Sequence, residues 1–291
     1  MHSPVFLIGT QRSGTTLLCR MLCAHKDIFI KNETHMLQVF TPGASRSDIE
    51  SAIDKSVQER HGQSIAELLE NEGKCVWGLK DPQLTEHLEA LKQFMPDARF
   101  IIITRDARAV VRSYIENAWG LGTNCYTGAL RWKREIEMQL AFEKELPENS
   151  LRLRYEDLIT NQKQCLEKVS EFLDVPFDEA MLHYSKQKAF VSKNRQSINT
   201  FKAPDPAMIT KWKAGLSDHQ IRVINHVCGD LLAELGYELG DACEQVPAWL
   251  KAYYFIHQKI IGELQIQYRW RLGGYKSRYR KWVNNRSLKQ S

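Results

Sequence analysis

The sequence predicts an α/β protein, a central parallel sheet flanked by helices with a basic helical extension at the C-terminal end. Three observations predict it. Val5-Phe6-Leu7-Ile8 and Phe100-Ile101-Ile102-Ile103 are continuous apolar runs, the pattern of parallel strands buried on both faces. Apolar runs alternate along the chain with segments of helical periodicity, as in a wound sheet. A Gly/Ser/Thr-rich turn, Gly9-Thr10-Gln11-Arg12-Ser13-Gly14-Thr15-Thr16, follows the first run and leads into a helical pattern.

The elements follow in order. Residues 16–24 carry Leu17, Leu18, Met21 and Leu22 at helical spacing, and Phe29-Ile30 is a second short strand. Residues 47–71 read as one mostly polar helix capping the core. Residues 75–79 form a strand ending at Lys80-Asp81-Pro82, and residues 86–94 form a helix. Arg105-Asp106 ends the strand at 99–104, and residues 107–116 continue as a helix. Residues 130–146 are a long amphipathic helix, 151–155 a strand, and 162–173 a helix that stops before Val175-Pro176. Residues 192–206, with Pro204 and Pro206, read as a polar loop. Residues 218–235 are the last helix of the body, ended by Gly236. In the tail, Leu250, Tyr253, His257, Ile260, Ile261, Leu264 and Tyr268 recur at three- and four-residue spacing. Gly273-Gly274 should end that helix before the basic-aromatic run Tyr275-Lys276-Ser277-Arg278-Tyr279-Arg280-Lys281-Trp282.

The hydrophobic fraction of 43% and charged fraction of 26% exclude a disordered, collagen-like or disulfide-scaffold chain. The length of 291 residues suits one domain with an appendage, residues 1–244 and 245–291. The opening run is too short and too poor in flanking bases for a signal peptide, and no stretch has the apolar length of a membrane span, so a cytoplasmic location is expected. Seven cysteines without a C-x-x-C pair point to buried thiols rather than zinc or a complete disulfide framework. The net charge of +5 is uneven. Residues 245–291 hold ten Lys/Arg against the single acid Glu263, a charge of +9 that leaves −4 for residues 1–244. Such a block suits an acidic partner: an anionic membrane, at which the protein would be peripheral, nucleic acid, or an acidic protein surface.

The turn at residues 9–16 has the G-x-x-x-x-G spacing of a phosphate loop. Its glycines let backbone N–H groups point inward, and the following helix adds its positive end. The Lys that follows the second glycine in nucleotide hydrolases is replaced by Thr15, which argues against ATP or GTP turnover; Arg12 supplies a cation within the loop.

This loop resembles the 5′-phosphosulfate loop of sulfotransferases that use 3′-phosphoadenosine 5′-phosphosulfate (PAPS). Thr104-Arg105-Asp106-Ala107-Arg108-Ala109-Val110-Val111-Arg112-Ser113-Tyr114 resembles the same family's 3′-phosphate motif, a strand-end Arg followed eight residues later by Ser. Glu33-Thr34, Lys80-Asp81-Pro82, Tyr155-Glu156-Asp157-Leu158 and Lys211-Trp212 fall in an order similar to that of tyrosylprotein and related bacterial sulfotransferases. The likeness spans roughly residues 4–239 and omits the tail. It departs at Asn32, where the tyrosylprotein enzymes have Glu, and at His35, where they have Arg.

The resemblance implies a P-loop-like sulfotransferase fold and in-line transfer of a sulfuryl group from PAPS to an acceptor hydroxyl, on a peptide tyrosine, small phenol, lipid or sugar. It implies Glu33 as general base, with His35 a weaker alternative, and Lys80 and Arg12 stabilising the leaving phosphate. Ser197 would assist the transition state. Thr10, Gln11, Arg12, Ser13, Gly14, Thr15 and Thr16 would cradle the 5′ end, and Arg105 and Ser113 the 3′-phosphate, with Arg108 and Arg112 adding to its field. Tyr155, Lys211 and Trp212 would lie about the nucleotide. No metal and no nucleic-acid partner are expected, and a homodimer is the family analogy. The alternatives are a nucleotide kinase or NTPase, and a membrane- or nucleic-acid-binding protein acting through its tail.

Overall fold

The computed structural model describes residues 3–186, 202–240 and 244–287. The chain divides into two compact units, Met1–Asp106 with Arg134–Lys211, and Ala107–Lys133 with Trp212–Ser291.

The first unit is built on five parallel strands, β1 (Val5–Ile8), β2 (Ile28–Asn32), β3 (Val76–Lys80), β4 (Arg99–Thr104) and β5 (Ser150–Arg154), in the order β2-β3-β1-β4-β5. The described residues also hold α1 (Thr15–Cys23), α2 (Met36–Val39), α3 (Arg46–His61), α4 (Ile65–Glu72), α5 (Leu88–Phe94), α6 (Ala107–Asn117) and α7 (Cys125–Glu145). After β5 come α8 (Tyr155–Thr160), α9 (Gln162–Phe172), α10 (Ala207–Thr210), α11 (Trp212–Gly215), α12 (Asp218–Glu234) and α13 (Ala248–Ser287).

Alternate residues of each strand face opposite sides of the sheet, and both sides are buried. Val5, Leu7, Ile30, Ile101 and Ile103 pack with Leu18 and Leu22 of α1 and Leu166 and Val169 of α9. Phe6, Ile8, Trp77, Phe100 and Ile102 pack with Ile49, Ile53 and Val57 of α3 and with Leu91 of α5. Phe142 of α7 meets the Phe100 ring edge-on at 4.8 Å. Helix α3 is polar, yet its three apolar residues at four-residue spacing make one buried stripe, which is how so polar a segment caps the core.

Residues 47–71 are two helices rather than one. Gly62, at φ 74, closes α3, and Ser64 opens α4 by a reciprocal capping box with Glu67. The helix expected at 86–94 begins as a 3-10 turn, Pro82–His87, capped by Asp81, and becomes α5 at Leu88. Helix α7 starts at Cys125, five residues before the expected start. Strand β5 ends at Arg154, so Tyr155 opens a helix instead of closing a strand. Of the loop expected at 192–206, residues 192–201 lie outside the described residues.

In the second unit α12 opens with a capping box between Ser217 and Gln220. Trp132 is fully buried, and the Cys228 thiol donates to the Ala129 carbonyl at 3.4 Å. Helix α13 runs through Gly273-Gly274 without the expected break. Its inner face is pinned to the segment before α7. Gln258 accepts from the Thr123 N–H (2.8 Å) and donates to the Gly120 carbonyl (2.6 Å), while Gln265 accepts from the Gly120 N–H (2.9 Å). Among the described residues, no helix is long and apolar enough to cross a membrane.

Candidate active site

Because the strands are parallel, their C-terminal ends share one edge of the sheet. The residues that follow them are Gly9 after β1, Glu33 after β2, Asp81 after β3, Arg105 after β4 and Tyr155 after β5. Strand order reverses at β1, the place where wound α/β sheets open a crevice.

The loop from Gly9 to Gly14 turns tightly there. Ser13 N–H donates to the Thr10 carbonyl at 3.1 Å. Gly14 sits at φ 107 as the N-cap of α1, and a Cβ on it would overlap the Tyr155 ring. A Cβ on Gly9 would come within 2.6 Å of the Ile103 carbonyl. Both glycines are therefore required by backbone conformation or close approach. No side chain caps α1, and its first turn holds no acid, so its positive end is left uncompensated by carboxylates. Among the described residues, the buried atoms Thr10 Oγ1, Gln11 Oε1 and Ser13 Oγ have no hydrogen-bond partner. Buried polar atoms are ordinarily satisfied, and leaving one unpaired costs about 1–3 kcal/mol. Orphaned hydroxyls, inward glycines and a bare helix start together fit an anionic phosphate group. Thr15 is buried at the first turn of α1, and Thr16 follows it half-buried.

Glu33 and Lys80 meet across the sheet end. Register pairs Asn32 with Lys80, which places Glu33 one residue past the last pair. The Glu33 N–H donates to the Lys80 carbonyl at 2.7 Å, and Lys80 Nζ donates to Glu33 Oε1 at 2.7 Å. The Lys80 side chain is only 1% exposed whereas that of Glu33 is 55% exposed. A buried ammonium thus reaches the surface through one carboxylate. Glu33 adopts φ 57 and Arg12 φ 75, left-handed values unusual for residues with a Cβ. Each costs about 1–2 kcal/mol, and such strain concentrates at functional sites.

Asp81 holds the Glu33 turn in place. Its carboxylate accepts from the Thr34 N–H at 3.2 Å and the Gln83 N–H at 2.9 Å. Burial pushes the Asp81 carboxyl above its usual range, against the pull of these two N–H groups. The sequence reading gave Asp81 no role, although an Asp before Pro82 is a helix-capping signal.

The Arg105 guanidinium lies 4.0 Å from the centre of the Tyr155 ring. Its Nη1 donates to the Arg12 carbonyl at 3.2 Å and its Nη2 to the Met208 carbonyl at 3.1 Å. Arg105 therefore ties the loop after β1 to the end of β4. Burial raises the Tyr155 phenol above its ordinary value despite the nearby Arg105 charge. The neighbouring Glu156 carboxylate accepts from the Asp106 N–H at 3.2 Å, a bond the sequence reading missed.

The structure brings Thr10 to Thr16, Arg105 and Tyr155 together, and it pairs Glu33 with Lys80. His35 is exposed and Lys211 is exposed at the end of α10. Ser197 lies outside the described residues. In the second unit Ser113 Oγ accepts from Asn117 Nδ2 at 3.0 Å. Trp212 is buried, with the Arg108 guanidinium 4.3 Å from its ring centre. Arg108 also donates to the Glu238 carbonyl at 2.9 Å, and Arg112 pairs with Glu116, so both arginines have protein partners there. Among the described residues, no group of three or more His, Cys, Asp or Glu side chains could hold a metal ion.

A profile described as "Sulfotransferase family" matches residues 4–179. A putative protein-tyrosine sulfotransferase of Caenorhabditis briggsae is 29% identical over 255 residues, covering 80% of this chain and 89% of that one. Protein-tyrosine sulfotransferase 1 of Danio rerio is 27% identical over 256 residues, covering 80% and 72%. Among solved structures, the sulfotransferase domain from the curacin biosynthetic pathway aligns with a TM-score of 0.66 at 21% identity, covering 82% of this chain and 99% of that one. The sulfotransferase domain of the Synechococcus PCC 7002 olefin synthase aligns with a TM-score of 0.60 at 19% identity, covering 82% and 98%. These likenesses show the same fold, and the profile match spans more than half of the sequence. The chain belongs to the sulfotransferase family.

Proposed function

We propose that this sulfotransferase uses PAPS as donor and transfers its sulfuryl group to a hydroxyl, with a peptide tyrosine as the leading acceptor. The observation that carries the donor is the loop after β1, where buried hydroxyls without partners surround a bare helix start. The acceptor reading rests on the protein-tyrosine sulfotransferases among the relatives. When bound, PAPS supplies an activated sulfuryl group on a phosphate leaving group.

The chain's own residues divide the remaining work. Loop N–H groups with Thr10, Ser13, Thr15, Thr16 and Arg12 hold the 5′ end, and the strand-end Arg105 holds the 3′-phosphate. Glu33 accepts the acceptor hydroxyl's proton on Oε2, since Oε1 already accepts from Lys80. As Oε2 gains that proton the carboxylate loses its charge. The Lys80 ammonium is then released from its partner and turns its N–H toward the oxygen on which negative charge develops. Base and electrostatic stabiliser thereby act as one coupled unit. Asp81 keeps the Glu33 turn in register with Lys80.

The test is transfer of labelled sulfate from PAPS to a panel holding an acidic tyrosine peptide, a small phenol, a lipid hydroxyl and a sugar. Wild type labels the tyrosine peptide, and Glu33→Gln lowers kcat by about 10²–10⁴ with little change in donor affinity. Labelling of another class alone refutes the tyrosine assignment. Full activity of Glu33→Gln refutes its role as base.

A further inference from the structure

Helix α13 has two apolar faces. The inner one is occupied: Tyr254 stacks on Tyr126 at 5.8 Å, and Asn124 donates to the Tyr254 carbonyl at 3.0 Å. The outer one is open. Trp249 (71% exposed), Tyr253, Ile256, Ile260 and Leu264 fall within an arc of about 80° on a 3.6-residue helix, with Tyr268 at its edge. They run for about 28 Å, and solvated helices do not ordinarily present such a stripe.

Two features specify what covers it. The segment 245–291 carries +9, so a second stripe from another copy would bring two such segments together, whereas an anionic surface is attracted to both. Trp and Tyr stand among the aliphatic residues, and Arg271 continues the line of the stripe by helical spacing. Amphipathic rings beside cations suit the boundary between lipid headgroups and acyl chains. We propose that the outer face of α13 docks this enzyme on an anionic lipid surface, lying in the interface plane with the stripe inserted at the headgroup boundary.

The experiment is sedimentation of the 291-residue chain with vesicles of phosphatidylcholine alone, or with about 30% phosphatidylserine added. Wild type pellets with the anionic vesicles and stays in solution with the neutral ones. Ile256→Asp with Ile260→Asp lowers partitioning by about tenfold or more, while melting temperature and sulfate transfer in solution stay at wild-type values. Both residues are more than half exposed, so the fold does not depend on them. Leu264→Asp replaces the pair if the pair melts early. Wild-type pelleting by these variants would overturn the proposal, because adsorption through charge alone does not need the stripe. Failure of wild type to pellet with anionic vesicles would overturn it too, and a dimer dissolved by the same variants would assign the stripe to a second copy.

Discussion

Lys80 and Glu33 are the place to perturb this enzyme, because in the proposed mechanism their bond joins folding to catalysis. Lys80 is almost completely buried and pairs through Nζ with Glu33 Oε1 at 2.7 Å. Glu33→Gln keeps the shape and removes the counter-charge, so a buried ammonium faces a neutral amide. Breaking a fully buried pair in this way costs about 3–5 kcal/mol. Glu33 is 55% exposed, so water screens the pair and the expected cost is about 1–3 kcal/mol. Lys80→Met removes the charge and keeps an apolar stem of similar length. In the double variant neither charge remains, and most of the Glu33→Gln penalty is recovered. Urea unfolding of the four proteins measures this coupling as the departure from additivity. Transfer kinetics read it again: each single variant should lose most of kcat, and the second substitution should add little. Stabilities that add within about 0.3–0.5 kcal/mol would refute the coupled unit. So would rate losses that multiply.

Two further perturbations test the scaffold. Gly14→Ala forces a Cβ into the Tyr155 ring at a positive φ, so the variant should lose about 2–4 kcal/mol and bind donor product weakly; unfolding midpoints and product titration check both. Burial pushes the His61 and His87 imidazoles below their ordinary value of 6.5, His61 edge-on to Phe29 and His87 stacked on Phe40. Between that value and the depressed folded ones the unfolded chain binds protons that the folded chain does not. Stability should therefore hold above about pH 7 and decline as pH falls through about 6, and His61→Gln with His87→Gln should flatten the decline in urea midpoints.

The sheet was legible where burial is two-sided. Phe100 to Ile103 has no polar position because both faces of β4 are covered, and its bounds match the sequence reading. Edge strand β5 reads Ser-Leu-Arg-Leu-Arg, and alternation at an edge gave its place within one residue. The split between α3 and α4 was also written in the sequence, as Gly62 followed by Ser64-x-x-Glu67, but the polar composition on both sides masked it. Tyr155 looked like a strand residue because it closes an alternating run, whereas the chain bends there into α8.

The site divides in the same way. The loop at Gly9 to Thr16 is local, so its spacing reveals it. Lys80 could be placed at a strand end, but its burial and its bond to Glu33 depend on the β2–β3 register, a pairing across 47 residues. The stacking of Arg108 on Trp212 joins residues 104 apart in sequence, for which no short-range pattern exists. The outer stripe of α13 appeared as helical periodicity, but only the packing of Tyr254, Gln258 and Gln265 shows which face is taken and which is open.

In the proposed function the strand ends hold a 3′-phosphorylated adenosine nucleotide. Calorimetric titration with 3′-phosphoadenosine 5′-phosphate against ADP, for wild type and Arg105→Ala, tests it most directly. Wild type should bind the 3′-phosphorylated ligand at micromolar or tighter affinity and clearly prefer it to ADP, and the variant should lose that preference. Equal binding of the two ligands, or binding of neither, would contradict it.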